Sequence, residues 1–224
     1  MEMYKAIFYK EWIKLRAAFY VLLTISILFL VQILLIISYN TRLQSGELYW
    51  YNVIFRNDLF YNSLFYLPLL IGLVILAVQF TPEIAADRLK LTLHLPAKDQ
   101  FILLSTVSVG TTIIFVLYLI IILGLYIVTS MYFPRQIYYS ALLTMLPKLL
   151  AGIALYWAGT MIFVESLWAK RIILTIVALL FIQTLFLGNY IEIYTRIIPA
   201  MFILSLILSI SILISGHRYR RGVR

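Results

Sequence analysis

The chain has 224 residues, of which 64% are hydrophobic and only 12% charged, and its mean hydropathy is +1.01. A soluble domain carries roughly 45–50% apolar and about 25% charged residues, so composition alone excludes one. The excess of Lys+Arg (18) over Asp+Glu (9) then bears on membrane orientation rather than on nucleic acid, and the lack of cysteine excludes disulfides, thiolate nucleophiles and thiolate metal sites.

Residues 1–16 are too polar to cross a bilayer, yet Tyr4, Phe8, Trp12 and Leu15 recur at i, i+4, i+8 and i+11 and form one helical stripe. Lys5, Lys10, Lys14 and Arg16 fall mostly elsewhere. The pattern predicts an amphipathic helix in the membrane interface, with its aromatic side at the acyl boundary and its cations near anionic lipid headgroups. The plainer reading is a basic flank that only orients the first span.

A crossing needs about 20 apolar residues, and six segments supply them: residues 17–38, 61–80, 101–132, 141–164, 172–187 and 197–215. No A-x-A-like cleavage site follows the first, which therefore reads as an uncleaved span. The third is longer than a crossing requires, so it tilts or projects. The fold expected is all-α, a single transmembrane domain of six helices.

Between the second and third spans, residues 81–96 read TPEIAADRLKLTLHLP. The alternation of Leu89, Leu91, Leu93 and Leu95 resembles a strand, but a lone strand there has no partner. At 100° per residue, Glu83, Asp87, Lys90 and His94 share a stripe about 60° wide. Thr81 suits an N-cap, Pro82 the first helical position and Glu83 the positive end of the helix dipole, while Pro96 supplies a stop. A short cytoplasmic helix is expected, either a docking surface or a plain interfacial link between two spans.

Cations accumulate in one set of connections: Lys5, Lys10, Lys14 and Arg16; Arg88, Lys90 and Lys98; Lys170 and Arg171; Arg218, Arg220, Arg221 and Arg224. The other set holds only Arg42, Arg56, Arg135 and Arg196, so the positive-inside rule puts both termini in the cytoplasm. The outer connections carry Tyr39, Tyr49, Trp50, Tyr51, Tyr132, Tyr138, Tyr139, Tyr190 and Tyr194, which read as headgroup-level anchors. The scattered cations, with little aromatic surface between them, do not make a nucleic-acid site.

Inside the spans, Lys148 follows Pro147 in the outer half of the fourth. Its stem either carries the ammonium to the outer headgroups or faces a cavity that takes an anionic headgroup or cargo. Gly152 and Gly159 suit close helix packing, and Gln32 and Gln183 suit interhelical hydrogen bonds. Glu165 is placed to pair with Lys170 or Arg171. No G-x-x-x-x-G-K-[ST] occurs, so the chain forms no P-loop of its own. The spans are too poor in carboxylates and histidines for ion coupling, and both histidines, His94 and His217, fall in cytoplasmic segments, which disfavours metal and serine-hydrolase chemistry.

Three features together resemble ABC-2 type transporter permeases. They are the N-terminal Lys10-Glu11-Trp12 followed by Arg16, the Glu83 that ends the second span, and Leu93-His94-Leu95-Pro96. The resemblance implies two permease copies, or one copy and a related permease, pairing with two separate ABC ATPase subunits that bind ATP and Mg; no cofactor is expected in this chain itself. It also implies that the 81–96 helix is a coupling helix docking on the ATPase through Glu83, Asp87, Arg88, Lys90 and His94. The N-terminal interfacial helix, with Glu11, Trp12 and Arg16, would lie near it. Many members have re-entrant half-helices between the last two spans; here only residues 188–196 are available, so no substrate gate is carried over. The function expected is an ABC exporter subunit of a bacterial inner membrane, moving a hydrophobic or amphipathic cargo such as a lipid, peptide antibiotic or haem-like molecule. The alternatives are a non-transporting scaffold that holds a soluble partner and, third, an intramembrane enzyme.

Overall fold

A computed structural model describes residues 2–43, 46–56, 58–85, 99–165, 167–188 and 191–207. Helix α1 runs unbroken over Glu2–Leu43, about 63 Å at 1.5 Å per residue. The expected interfacial segment and the first span are therefore one continuous helix, with no break at Arg16. Leu15, Ala18, Leu22, Ser26, Leu30, Ile33 and Ile37 form its buried stripe, at the three- and four-residue spacing of a packed helix face. The polar member, Ser26, donates its hydroxyl to the Leu22 carbonyl at 2.7 Å, so its burial leaves no open donor.

The end of the bundle that holds Lys10 and Lys14 is called here the basic end, and the opposite one the distal end. At the distal end α2 (Gly46–Phe55) buries Tyr49 and Val53, one turn apart. Tyr49 thus packs inward, unlike the headgroup anchor expected from sequence. Its ring centroid lies 5.9 Å from that of Phe133, which stacks on Phe60 at 5.2 Å. A 3-10 turn, Asn62–Leu64, precedes α3 (Leu67–Ala85).

Helix α3 returns to the basic end and carries Thr81, Pro82 and Glu83 inside its last turns, so Thr81 is not the N-cap of a new helix. Phe80 and Ile84, packed on the core, and the ion-paired Glu83 hold the helix past Phe80 despite the one backbone donor that Pro82 removes. Then follow α4 (Asp99–Ser130) and α5 (Arg135–Val164). Helix α5 starts after Pro134, which holds an extended ψ of 159°, and ends at Glu165, extended again. Finally come α6 (Trp168–Thr184) and, within the described residues, α7 (Ile198–Ile207).

Helix α5 is the centre: 78% of its most apolar stretch is buried, against 28% for α1. It crosses α3 where two glycines meet, since a Cβ on Gly72 would collide with the Gly152 carbonyl, and one on Gly152 with Pro68 O and the Tyr118 hydroxyl. Tyr118 donates to Pro68 O at 3.2 Å and ties α4 into the same crossing. Gly159 likewise makes room for Leu76. Small residues let the backbones approach closely where apolar burial alone gives helices no reason to associate.

Among the described residues four helices are long and apolar enough to cross a membrane: Tyr4–Leu43, Asn62–Ile84, Phe101–Ser130 and Arg135–Val164. The chain is an all-α membrane protein. Six spans are more than these residues show. Helix α6 has 17 residues with Ala178 alone buried in it, and the described part of α7 is shorter still.

Candidate functional site

Among the described residues a polar centre interrupts the apolar bundle at each end. The basic-end centre begins on α1, where Lys10, Glu11 and Lys14 lie within one turn and a half. Glu11 is 1% exposed and Glu83, on α3, 4%; carboxylates this buried require cations. Lys14 Nζ supplies one, 2.8 Å from Glu11 Oε1, and donates to Glu83 Oε1 at 2.7 Å. Lys10 Nζ sits 3.0 Å from Glu83 Oε1 and 3.9 Å from Glu11 Oε1. Two cations thus balance two carboxylates, and Lys14 bridges both. Glu83 Oε2 is buried and accepts no hydrogen bond from the described residues.

The centre extends inward through Gln79, one turn before Glu83 on the same face of α3. Its Nε2 donates to Glu11 Oε2 at 3.0 Å and to the Thr106 carbonyl at 2.9 Å, and its Oε1 accepts from the Tyr156 hydroxyl at 2.7 Å. Tyr156 Oη also lies 3.3 Å from Val107 O. Helices α1, α3, α4 and α5 therefore share one buried polar network. Gly110 makes it possible: a Cβ there would strike the Tyr156 hydroxyl and Gln79 Oε1. Close by, Trp157 Nε1 donates to Thr111 Oγ1 at 3.0 Å, joining α5 to α4 once more.

The structure thus joins Glu11 and Glu83, assigned by resemblance to two separate features, in a single cluster. Trp12 is half-buried and packs on Phe19, centroids 5.6 Å apart, while Arg16 is exposed. Asp87, Arg88, Lys90 and His94 lie outside the described residues. Gln79, Tyr156 and the bridging role of Lys14 were missed from sequence. The Gln79–Glu83 and Lys10–Lys14 spacings, each one helical turn, were the available signal.

The distal centre is Lys148. It is 0% exposed, so its stem does not reach the headgroups. Its ammonium donates to the Leu185 carbonyl at 2.9 Å and approaches that of Gly188 at 3.5 Å, beyond the C-terminal end of α6. It lies 4.2 Å from the Phe186 ring centroid, 5.4 Å from Phe65 and 5.9 Å from Tyr194. A cation is favoured at a helix C-terminus and over aromatic faces, and that environment stands in for a counter-ion. Beside it, Glu192 holds a left-handed φ of 58° and is fixed by Ser140, whose hydroxyl donates to its Oε1, and by Thr144. A cavity of about 450 Å³ opens nearby, lined by Phe60, Tyr61, Ile137 and Ser140 among others.

Glu165 is buried, and Arg171 Nε donates to its backbone carbonyl, while its Oε1 lies 3.5 Å from the Leu167 amide. A second cleft, of about 600 Å³, runs between α4, α5 and α7 and is lined by Phe115, Leu119, Leu149, Ile153 and Phe202. Among the described residues no three His, Asp or Glu side chains converge to hold a metal ion. No protein-family model, no curated protein and no solved structure matches this chain.

Proposed function

We propose that this chain is the membrane subunit of an ATP-driven ABC exporter with both termini in the cytoplasm, powered by separate ATPase subunits. One observation carries the reading: the Lys10–Glu11–Lys14–Glu83 cluster. It fastens the N-terminal helix to the end of α3 at the point where the chain enters residues 86–98. Through Gln79 the same cluster grips α4 and α5. A displacement delivered to the 86–98 connection would move four helices as one body, which is what coupling to a soluble motor requires. The apolar cleft between α4, α5 and α7 supports a hydrophobic or amphipathic cargo.

The test is purification of the chain in mild detergent from its own cells, with mass spectrometry of what accompanies it. The variant Asp87→Lys with Lys90→Glu is purified in parallel, with its membrane insertion measured as the control. Recovery of a P-loop ATPase with the unaltered chain, and its loss in the inserted variant, is the expected result. If no ATPase appears while other membrane complexes survive the same detergent, the exporter reading fails and a scaffold for a different soluble partner replaces it.

A further inference from the structure

We infer that α1 pairs with α1 of a second copy of this chain, through a face centred on Leu28 and Leu35 in which the Gln32 side chains hydrogen-bond to each other. On α1, Val21, Leu28, Gln32, Leu35 and Tyr39 are all exposed. At 100° per residue they fall within a stripe about 60° wide, opposite the buried Leu22, Leu30, Ile33 and Ile37. Their steps of seven, four, three and four are those of a helix–helix seam, and no other described helix covers them.

An apolar face in a membrane needs no cover, because lipid supplies it. Gln32 does need one. Its amide has no hydrogen-bond partner among the described residues, and it lies about 7 Å along the axis from the middle of the apolar stretch 17–38. The nearer polar boundary is further away than so short a side chain extends. Hydrocarbon offers neither donor nor acceptor, so an unpaired amide there is costly and a facing polar group is favoured.

The occupant follows from symmetry and from the amide itself. All copies of the chain share one orientation in the bilayer, so a two-fold axis perpendicular to the membrane brings each residue of α1 opposite its own equivalent at the same depth. Gln carries both a donor and an acceptor and is complementary to itself. Flanking leucines then pack against leucines. The inference rests on the membrane character of α1 and does not depend on an ATPase.

Because the chain has no cysteine, single substitutions report proximity cleanly. Leu28→Cys and Leu35→Cys, oxidised in native membranes, are expected to give a species of twice the chain mass. Leu119→Cys, on the exposed face of α4, is expected to stay at the chain mass. In vesicles of a neutral phospholipid containing the purified full chain alone, self-association followed by energy transfer at varied lipid-to-protein ratio should weaken about threefold to thirtyfold in Gln32→Leu. Leucine favours insertion, so that loss is not misfolding. The inference is overturned if Leu119→Cys cross-links as well as the α1 pair, if the product has another mass, or if Gln32→Leu associates as tightly as the unaltered chain.

Discussion

Lys14 and Lys10 occupy adjacent turns of α1 and touch the same two carboxylates, yet the structure assigns them very different weights. Lys14 is 19% exposed and lies within 2.8 Å of both Glu11 and Glu83. Lys10 is 45% exposed and makes one close contact, to Glu83. Lys14→Met strands two buried carboxylates with only the outlying Lys10 as a cation, the situation in which removing one partner of a buried pair costs about 3–5 kcal/mol. Lys10→Met removes a half-solvated ammonium while Lys14 still bridges, and should cost about 0–1 kcal/mol. The assay is reversible unfolding in mixed micelles, run on both single variants and on Lys14→Met with Glu83→Gln. The double variant has one fewer carboxylate to strand, so it should be more stable than Lys14→Met alone. Equal losses for the two lysines, or no recovery in the double variant, would refute the bridging role of Lys14.

Gly110→Ala should destabilise by about 1–3 kcal/mol through overpacking against Tyr156 and Gln79. Tyr156→Phe, which leaves Gln79 Oε1 without its donor, should cost a similar amount, and the two together less than their sum, because Phe vacates part of the space the new methyl needs; a double-mutant cycle measures this coupling. Gly152→Val pushes α5 away from α3 at Pro68 and Tyr118 and should lower the melting midpoint in detergent more than Gly46→Val, where the nearest atom is the Thr41 side chain at 3.7 Å. Lys148→Met deletes a buried charge along with its carbonyl contacts, so global stability should change by no more than about 1–2 kcal/mol in either direction; hydrogen exchange should accelerate in residues 185–196 and not in α1 or α3.

The helices were legible because apolar runs of spanning length have few alternative structures in a membrane, and the α3, α4 and α5 boundaries fall within a few residues of the hydropathy segments. Thr81 and Pro82 misled because N-cap and first-turn preferences are local, whereas packing along α3 carries the helix through them to Ala85. Arg16 looked like a boundary by polarity, but nothing in residues 13–20 breaks a helix, and α1 continues. Glu83 stood out by its place in a polar helical stripe, and Glu11 only through resemblance. The resemblance set the two segments near each other, but which side chains meet was not legible, since that depends on the relative rotation of two helices separated by more than 60 positions in the chain. Lys148 showed the limit of reading a long side chain from depth alone: the acceptors that hold it inside belong to carbonyls 37 and 40 residues away.

The Glu11–Gln79–Tyr156 network also sets an order of events during synthesis. Its first and last members are separated by roughly 145 residues, which at about 5–20 residues per second is on the order of ten seconds or more of translation. Over that interval Glu11 has no Gln79, and then Gln79 has no Tyr156, so the amino-terminal helix must wait at the wet edge of the bilayer until the later helices arrive. The nascent protein is thus most vulnerable to membrane proteases and most in need of an insertase or chaperone before α5 enters. Truncations that end ahead of Tyr156 should be degraded in the cell far faster than those that end beyond it.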